Sequence, residues 1–237
     1  MIGIVVELAL SWVILRYLAK QDLKVLGLVP TKNQLRLFVL GLAASAIMCA
    51  LYYHSVALIS GAHWEMNEHY GFSTFINSLW YALKSVLFEE FIFRGAVLYL
   101  LISRIGMNKS CWISAVVFGM YHWFSYGIIG NPQQMIFVFL LTGTWGLMFA
   151  YAFAKTGSIL SPIALHLGWN AISMIVFSQG NTGDQLLIGV GGEPLEGMVS
   201  LALFILQWLG LPVIVFLYLK CNPSTNKVEK AVKDDKA

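Results

Sequence analysis

The sequence predicts an all-α protein, a polytopic membrane helical bundle of seven to eight transmembrane helices. Three observations predict it. The 237 residues are 58% hydrophobic and only 11% charged, with a mean hydropathy of +0.73, well outside the balance of a water-soluble domain. Apolar runs of about 20 residues, the length that crosses roughly 30 Å of hydrocarbon at about 1.5 Å per residue, recur from one end of the chain to the other. Nearly all lysines and arginines fall in alternate connections between those runs.

The first run, residues 2–18, starts without a basic leader and carries Glu7, so it is expected to stay as a helix rather than to be removed as a signal peptide. The second, 36–59, holds Gly41 and Ser45, a small-xxx-small pair expected to make a close helix contact, and His54, expected to find a backbone partner. The third, 73–104, would be roughly 48 Å long if straight. It must therefore tilt, break or continue along the membrane surface, and an eighth helical piece is expected there. The remaining runs are 111–129, 134–154, 158–178 and 198–219. Trp64 and Trp112 lie near run ends, where interfacial anchoring is expected. The organisation expected is one integral membrane domain, 1–220, with a motif core at 85–175, and a solvated polar tail, 221–237, whose "KVEKAVKDDKA" mixes both signs of charge.

Orientation follows from the basic residues, which collect in cytoplasmic connections. Arg16, Lys20, Lys24, Lys32 and Arg36 follow the first run, Arg104 and Lys109 the third, Lys155 the fifth, and Lys220, Lys227, Lys230, Lys233 and Lys236 the seventh. The connections near 60–72, 130–133 and 179–197 hold none. The expected arrangement is an odd number of crossings in the cell membrane, with the N-terminus outside and the C-terminus cytoplasmic. Membrane lipids are the expected surroundings. Nucleic acid is not an expected partner, because the net charge of +3 is scattered among connections rather than gathered in one patch. Cys49, Cys111 and Cys221 lack any CxxC spacing and suggest neither a disulfide framework nor a thiolate metal site.

Against this background the stretch "EEFIFRG" is anomalous. Glu89, Glu90 and Arg94 facing lipid would cost roughly 8 to 10 kcal/mol on insertion scales, so they must face protein or water. Glu90 and Arg94 are four apart on a helix and can pair, whereas Glu89 points about 100° away and is left for another task. The fourth run adds Phe118 and His122 in "FGMYH", and the sixth adds His166 and Asn170 in "HLGWN", each pair sharing a helical face. A carboxylate, two imidazoles and an amide at similar depth on three helices predict a shared polar cavity. Those groups suit attack of water on a carbonyl: a carboxylate in a partly dry cavity takes a proton from water, one imidazole holds that water, and a second imidazole with an amide stabilises the oxyanion. No GxSxG motif and no serine with an obvious base is present.

"EEFIFRG", "FGMYH" and "HLGWN", in that order and spacing, resemble the EExxxR, FxxxH and HxxxN motifs of the CAAX prenyl protease and bacteriocin-processing (CPBP, or Abi) family of intramembrane proteases. The resemblance spans Glu89 to Asn170, about a third of the chain. It implies a helical membrane fold with a cavity open to the cytoplasm, and hydrolysis by a glutamate-activated water without a required metal or other cofactor. Carried over by motif, Glu89 is the base, His122 its water-positioning partner, and His166 with Asn170 the oxyanion site, while Glu90 and Arg94 orient the helix and Phe118, the first residue of the second motif, is a supporting residue. The substrate implied is a peptide or protein, lipidated or not, processed in a CAAX-type, bacteriocin-related or immunity role.

Three alternatives remain at this level. Glu89, His122 and His166 could be zinc ligands with Glu90 as base; intramembrane Glu and His also build the proton relays of coupled transporters; and a non-catalytic immunity or scaffold protein would need none of this chemistry. "HWEMNEHY" holds His63, Glu65, Glu68 and His69 but lacks HExxH spacing, and is expected to be a solvated loop. "GVGGEPLEG" has the glycines of a phosphate loop without the Lys and Ser or Thr that follow them.

Overall fold

A computed structural model describes residues 2–177, 185–221 and Val228. These residues form α1 (Ile2–Ile14), prolonged by a π-helical Leu15–Ala19, then α2 (Lys32–Ser60), β1 (His63–Met66), α3 (Phe72–Arg94), α4 (Ala96–Ile105), α5 (Met107–Ser125) and α6 (Pro132–Thr156). They continue with α7 (Leu160–Ala171), prolonged by a π-helical Ile172–Phe177, β2 (Leu187–Val190) and α8 (Gly197–Cys221). The architecture is an all-helical membrane bundle. Five of its rods, namely Ile2–Ala19, α2, α6, Leu160–Phe177 and α8, are long and apolar enough to cross a membrane. α3 and α5 have comparable length but carry the buried polar residues. The expected polar tail, Val228 apart, lies outside the described residues.

Local chemistry sets the boundaries. α2 starts at a capping box, in which Thr31 Oγ1 accepts from the Gln34 backbone N–H at 3.3 Å while the Thr31 N–H donates to Gln34 Oε1 at 2.9 Å. α6 starts at Asn131, whose side chain accepts from the Gln134 N–H, with Pro132 in the first turn where a missing donor costs nothing. The third apolar run is two helices: Gly95 leaves helical geometry at ψ −141°, and α4, about 15 Å long by its helical rise, is too short to cross.

The bundle has two distinct ends. At one, Ser158 Oγ donates to the Gly27 carbonyl at 2.8 Å and the Ile159 N–H to the Leu26 carbonyl at 2.9 Å. Gln34 Nε2 donates to the Gly157 carbonyl beside them, so the connections after α1 and α6 close over this end. Under them lies an apolar core that includes Leu15, Leu26, Leu98, Ile102, Phe153 and Ile159, all buried. The connections at the other end are 61–71, 126–131 and 185–196, where β1 pairs antiparallel with β2. All Lys and Arg in the described connections and at the helix termini belong to the first, basic end.

Two expectations need correction. "HWEMNEHY" is not simply a solvated loop, because His63–Met66 pairs with a strand more than a hundred residues away and Trp64 lies over Phe177 with ring centroids 4.8 Å apart. His54 is exposed on α2 and makes no hydrogen bond among the described residues. The Gly41 and Ser45 expectation is met: both face α7, where Ser45 Oγ donates to the Leu165 carbonyl at 2.5 Å and Gly168 packs on the α2 backbone.

Candidate active site

α3 brings Glu89, Glu90 and Arg94 into the bundle one turn before the break at Gly95. Glu90 and Arg94 are fully buried, and Arg94 Nη1 reaches Glu90 Oε1 at 3.3 Å, the i,i+4 pair expected from their spacing. Burial this complete is tolerated only because each charge is partnered. Arg94 Nη2 donates to the Gly146 carbonyl at 3.2 Å, and its guanidinium lies 4.1 Å from the centroid of the Phe118 ring. Gly146 makes this possible, since a Cβ there would lie 2.8 Å from Phe118 Cδ1.

The two histidines are held differently. His122 Nδ1 lies 2.8 Å from the Phe118 carbonyl one turn back on α5. A carbonyl can only accept, so Nδ1 carries the hydrogen and Nε2 of the neutral ring offers a lone pair. His166, on α7, has Nδ1 2.7 Å from Glu90 Oε1 and stacks on Phe149 with centroids 4.8 Å apart. Both rings turn Nε2 toward Glu89: His122 Nε2 and His166 Nε2 are each 3.9 Å from Glu89 Oε2. That distance is too long for a direct hydrogen bond and suits a bridging water about 2.8 Å from each atom. Glu89 Oε2 is buried and has no hydrogen-bond partner among the described residues.

Glu89, Phe118, His122, His166 and Asn170 line one cavity of about 330 Å³. Every residue singled out from the motifs is thus in the cavity or, for Glu90 and Arg94, in the wall behind it. Among the described residues no group of three His, Cys, Asp or Glu side chains is disposed to hold a metal ion.

Sequence reasoning missed two things. Glu90 does more than orient a helix, because it is the direct partner of His166; the two are 76 positions apart and no local spacing reports their contact. The rest of the lining, including Tyr81, Ser85, Tyr126, Thr142, Ser173 and Gln207, belongs to no motif. All of these except Gln207 lie on the side of Glu89 and the histidines that faces away from the basic end, as the direction of each helix dictates.

Comparison with known proteins agrees with the geometry. Residues 71–172 match the family model described as type II CAAX prenyl endopeptidase Rce1-like, a span that starts beside α3 and ends just past Asn170. No curated protein and no solved structure matches the chain.

Proposed function

We propose that the chain is an intramembrane CAAX-type protease, in keeping with the family model that it matches over residues 71–172, and that it cleaves peptide bonds with a water activated by Glu89. The observation that carries the proposal is the placement of Glu89 Oε2 at 3.9 Å from both imidazole Nε2 atoms inside a cavity. A water between Glu89 and the His122 lone pair directs its hydrogens to those two acceptors and its own lone pair toward an incoming carbonyl carbon. As the C–O bond forms, one water proton passes to Glu89 and the carbonyl oxygen becomes an oxyanion. Asn170 and a hydrogen on His166 Nε2 are the donors for that oxyanion. The C–N bond then breaks, and Glu89 returns the proton to the leaving amine.

Glu90 and Arg94 act through His166: the carboxylate receives Nδ1–H and the guanidinium holds the carboxylate in place. In this reading neither metal nor other cofactor is required, and the substrate is a peptide or protein segment at the membrane. The chain crosses the cell membrane seven times, by α1, α2, α3, α5, α6, α7 and α8, with α4 lying short at the basic end. The excess of Lys and Arg at that end supports a cytoplasmic C-terminus and an N-terminus outside.

The test is cleavage of membrane-associated peptides by purified protein in liposomes. Glu89→Gln is expected to abolish cleavage while the variant keeps the thermal stability of the parent. Full activity in that variant overturns the assignment.

A further inference from the structure

We propose that a second cavity, separate from the catalytic one, binds an anionic glycerophospholipid of the surrounding membrane. One acyl chain lies between α2 and α8, and the phosphate sits among the cations at the basic end. Binding there is independent of the proposed peptide cleavage.

α2 and α8 touch where Gly210 lies against the Met48 side chain. On the basic side of that contact a cavity of about 330 Å³ separates them, backed by α6 and α7. Its walls include Leu40, Ala44, Ala152, Leu165, Ile214 and Val215, and it shares no lining residue with the catalytic cavity. Ala152 and Leu165 are buried at the back, whereas Leu40 and Ile214 are exposed on the outside of a membrane bundle, where the neighbours are acyl chains. Water does not drive hydrocarbon into such a slot within a bilayer, but a chain that fills it gains van der Waals contact on every side.

Two further features make this a site for a whole phospholipid. Ser161 lines the cavity and is only 6% exposed, and its Oγ is buried with no hydrogen-bond partner among the described residues. A buried hydroxyl left unmade is costly and calls for an acceptor. Gly41 packs on Ala164 and Leu165, so Ser161, one turn nearer the basic end than Leu165, is level with Leu37 and adjoins the cations. Arg36 extends the Leu40 and Ala44 row of α2 by one turn toward that end and Lys32 by two, while Lys155 precedes the lining residue Thr156 on α6. None of these three cations forms an ion pair among the described residues. α2, α6, α7 and α8 contain no Asp or Glu, so the helices that frame the cavity offer no counter-charge. A phosphodiester supplies it. Apolar wall, hydroxyl and cations thus follow one another in the order of a phospholipid's chain, ester carbonyl and phosphate.

Native mass spectrometry of the purified full chain in a neutral detergent, titrated with dioleoyl phosphatidylglycerol or dioleoyl phosphatidylcholine, tests the site. The parent is expected to hold one phosphatidylglycerol about 10-fold more tightly than phosphatidylcholine. Arg36→Gln combined with Lys155→Gln is expected to weaken phosphatidylglycerol about 25-fold, roughly a factor of 5 for each cation, and to leave phosphatidylcholine as it was. Ser161→Ala is expected to weaken both lipids about 5-fold, since both carry the ester. Ala44→Phe fills the slot and is expected to weaken both as well; Ser161→Ala, the milder change, keeps the site testable if thermal melts show that Ala44→Phe is misfolded. Equal affinity of the parent for the two lipids overturns the proposal, as does a double charge variant that keeps the parent's preference. Unchanged phosphatidylglycerol affinity in Ser161→Ala places the lipid elsewhere on the chain and also overturns it. Displacement of the lipid by glycerol phosphate at equal concentration would show a phosphate site without a chain slot, a third overturning result.

Discussion

The buried pair behind His166 makes a prediction that separates stability from chemistry. Arg94→Met removes the guanidinium that bonds Glu90 at 3.3 Å and Gly146 at 3.2 Å and sits over Phe118. It leaves the Glu90 carboxylate fully buried with His166 as its remaining partner. Breaking a buried pair by deleting one member costs about 3 to 5 kcal/mol, because the other charge stays desolvated. With a melting temperature that moves roughly 2 to 4 °C per kcal/mol for a chain of this size, the variant is expected to melt on the order of 10 °C lower. Glu90→Gln leaves Arg94 as the uncompensated charge and is expected to lose a similar amount. The double variant removes both charges from the interior, and replacing a whole buried pair is often neutral. It is therefore expected to recover most of the stability lost by either single variant. It does not recover activity, since His166 still lacks its carboxylate. The assay is a thermal melt of purified protein followed by tryptophan fluorescence, with peptide cleavage measured in parallel. If the double variant loses the sum of the two single losses, the pair is not a coupled buried unit and the reasoning fails.

Two further outcomes follow from the geometry around the cavity. Asn170→Ala is expected to lower kcat about 10²- to 10³-fold with KM little changed, the signature of a donor that acts on the transition state; an unchanged kcat in steady-state cleavage would remove Asn170 from the oxyanion site. Gly146→Ala places a methyl against Phe118, the ring that covers Arg94 and edges His122. It is expected to cost about 1 to 3 kcal/mol through overpacking and to reduce cleavage, both read on the same preparations; a variant that melts and cleaves like the parent would show that the contact relaxes freely.

Much of this arrangement was legible in the sequence, for reasons that can be assigned. Hydropathy located the helices because a bilayer demands long apolar runs, and the four-residue spacing of Glu90 with Arg94 and of His166 with Asn170 reports shared helical faces directly. The small pair Gly41 and Ser45 announced its contact because only small side chains let two backbones approach as α2 and α7 do. The break at Gly95 was left open, since a run that is too long to cross can resolve by tilt as well as by breakage. Strands β1 and β2 were not legible: four residues are too few for an alternation to stand out, and each strand's partner is remote in sequence. The contact of Glu90 with His166 was the most consequential gap, because it joins two helices across 76 positions and no single-helix pattern contains it.

In the proposed chemistry two identical side chains take opposite tasks. His122 and His166 present the same atom to the same carboxylate oxygen at the same 3.9 Å. What differs lies behind each ring. A backbone carbonyl, neutral and fixed within α5, holds Nδ1–H of His122 and leaves its Nε2 as an acceptor for one of the water's hydrogens. The Glu90 carboxylate accepts from Nδ1 of His166 at 2.7 Å, and in the proposed chemistry Nε2 of that ring is the donor. Under the proposed chemistry, acceptance on one side and donation on the other is what water attack on a carbonyl requires. The division of labour then resides less in the histidines than in Glu90, which explains why a buried glutamate and arginine sit next to the base in the third apolar run.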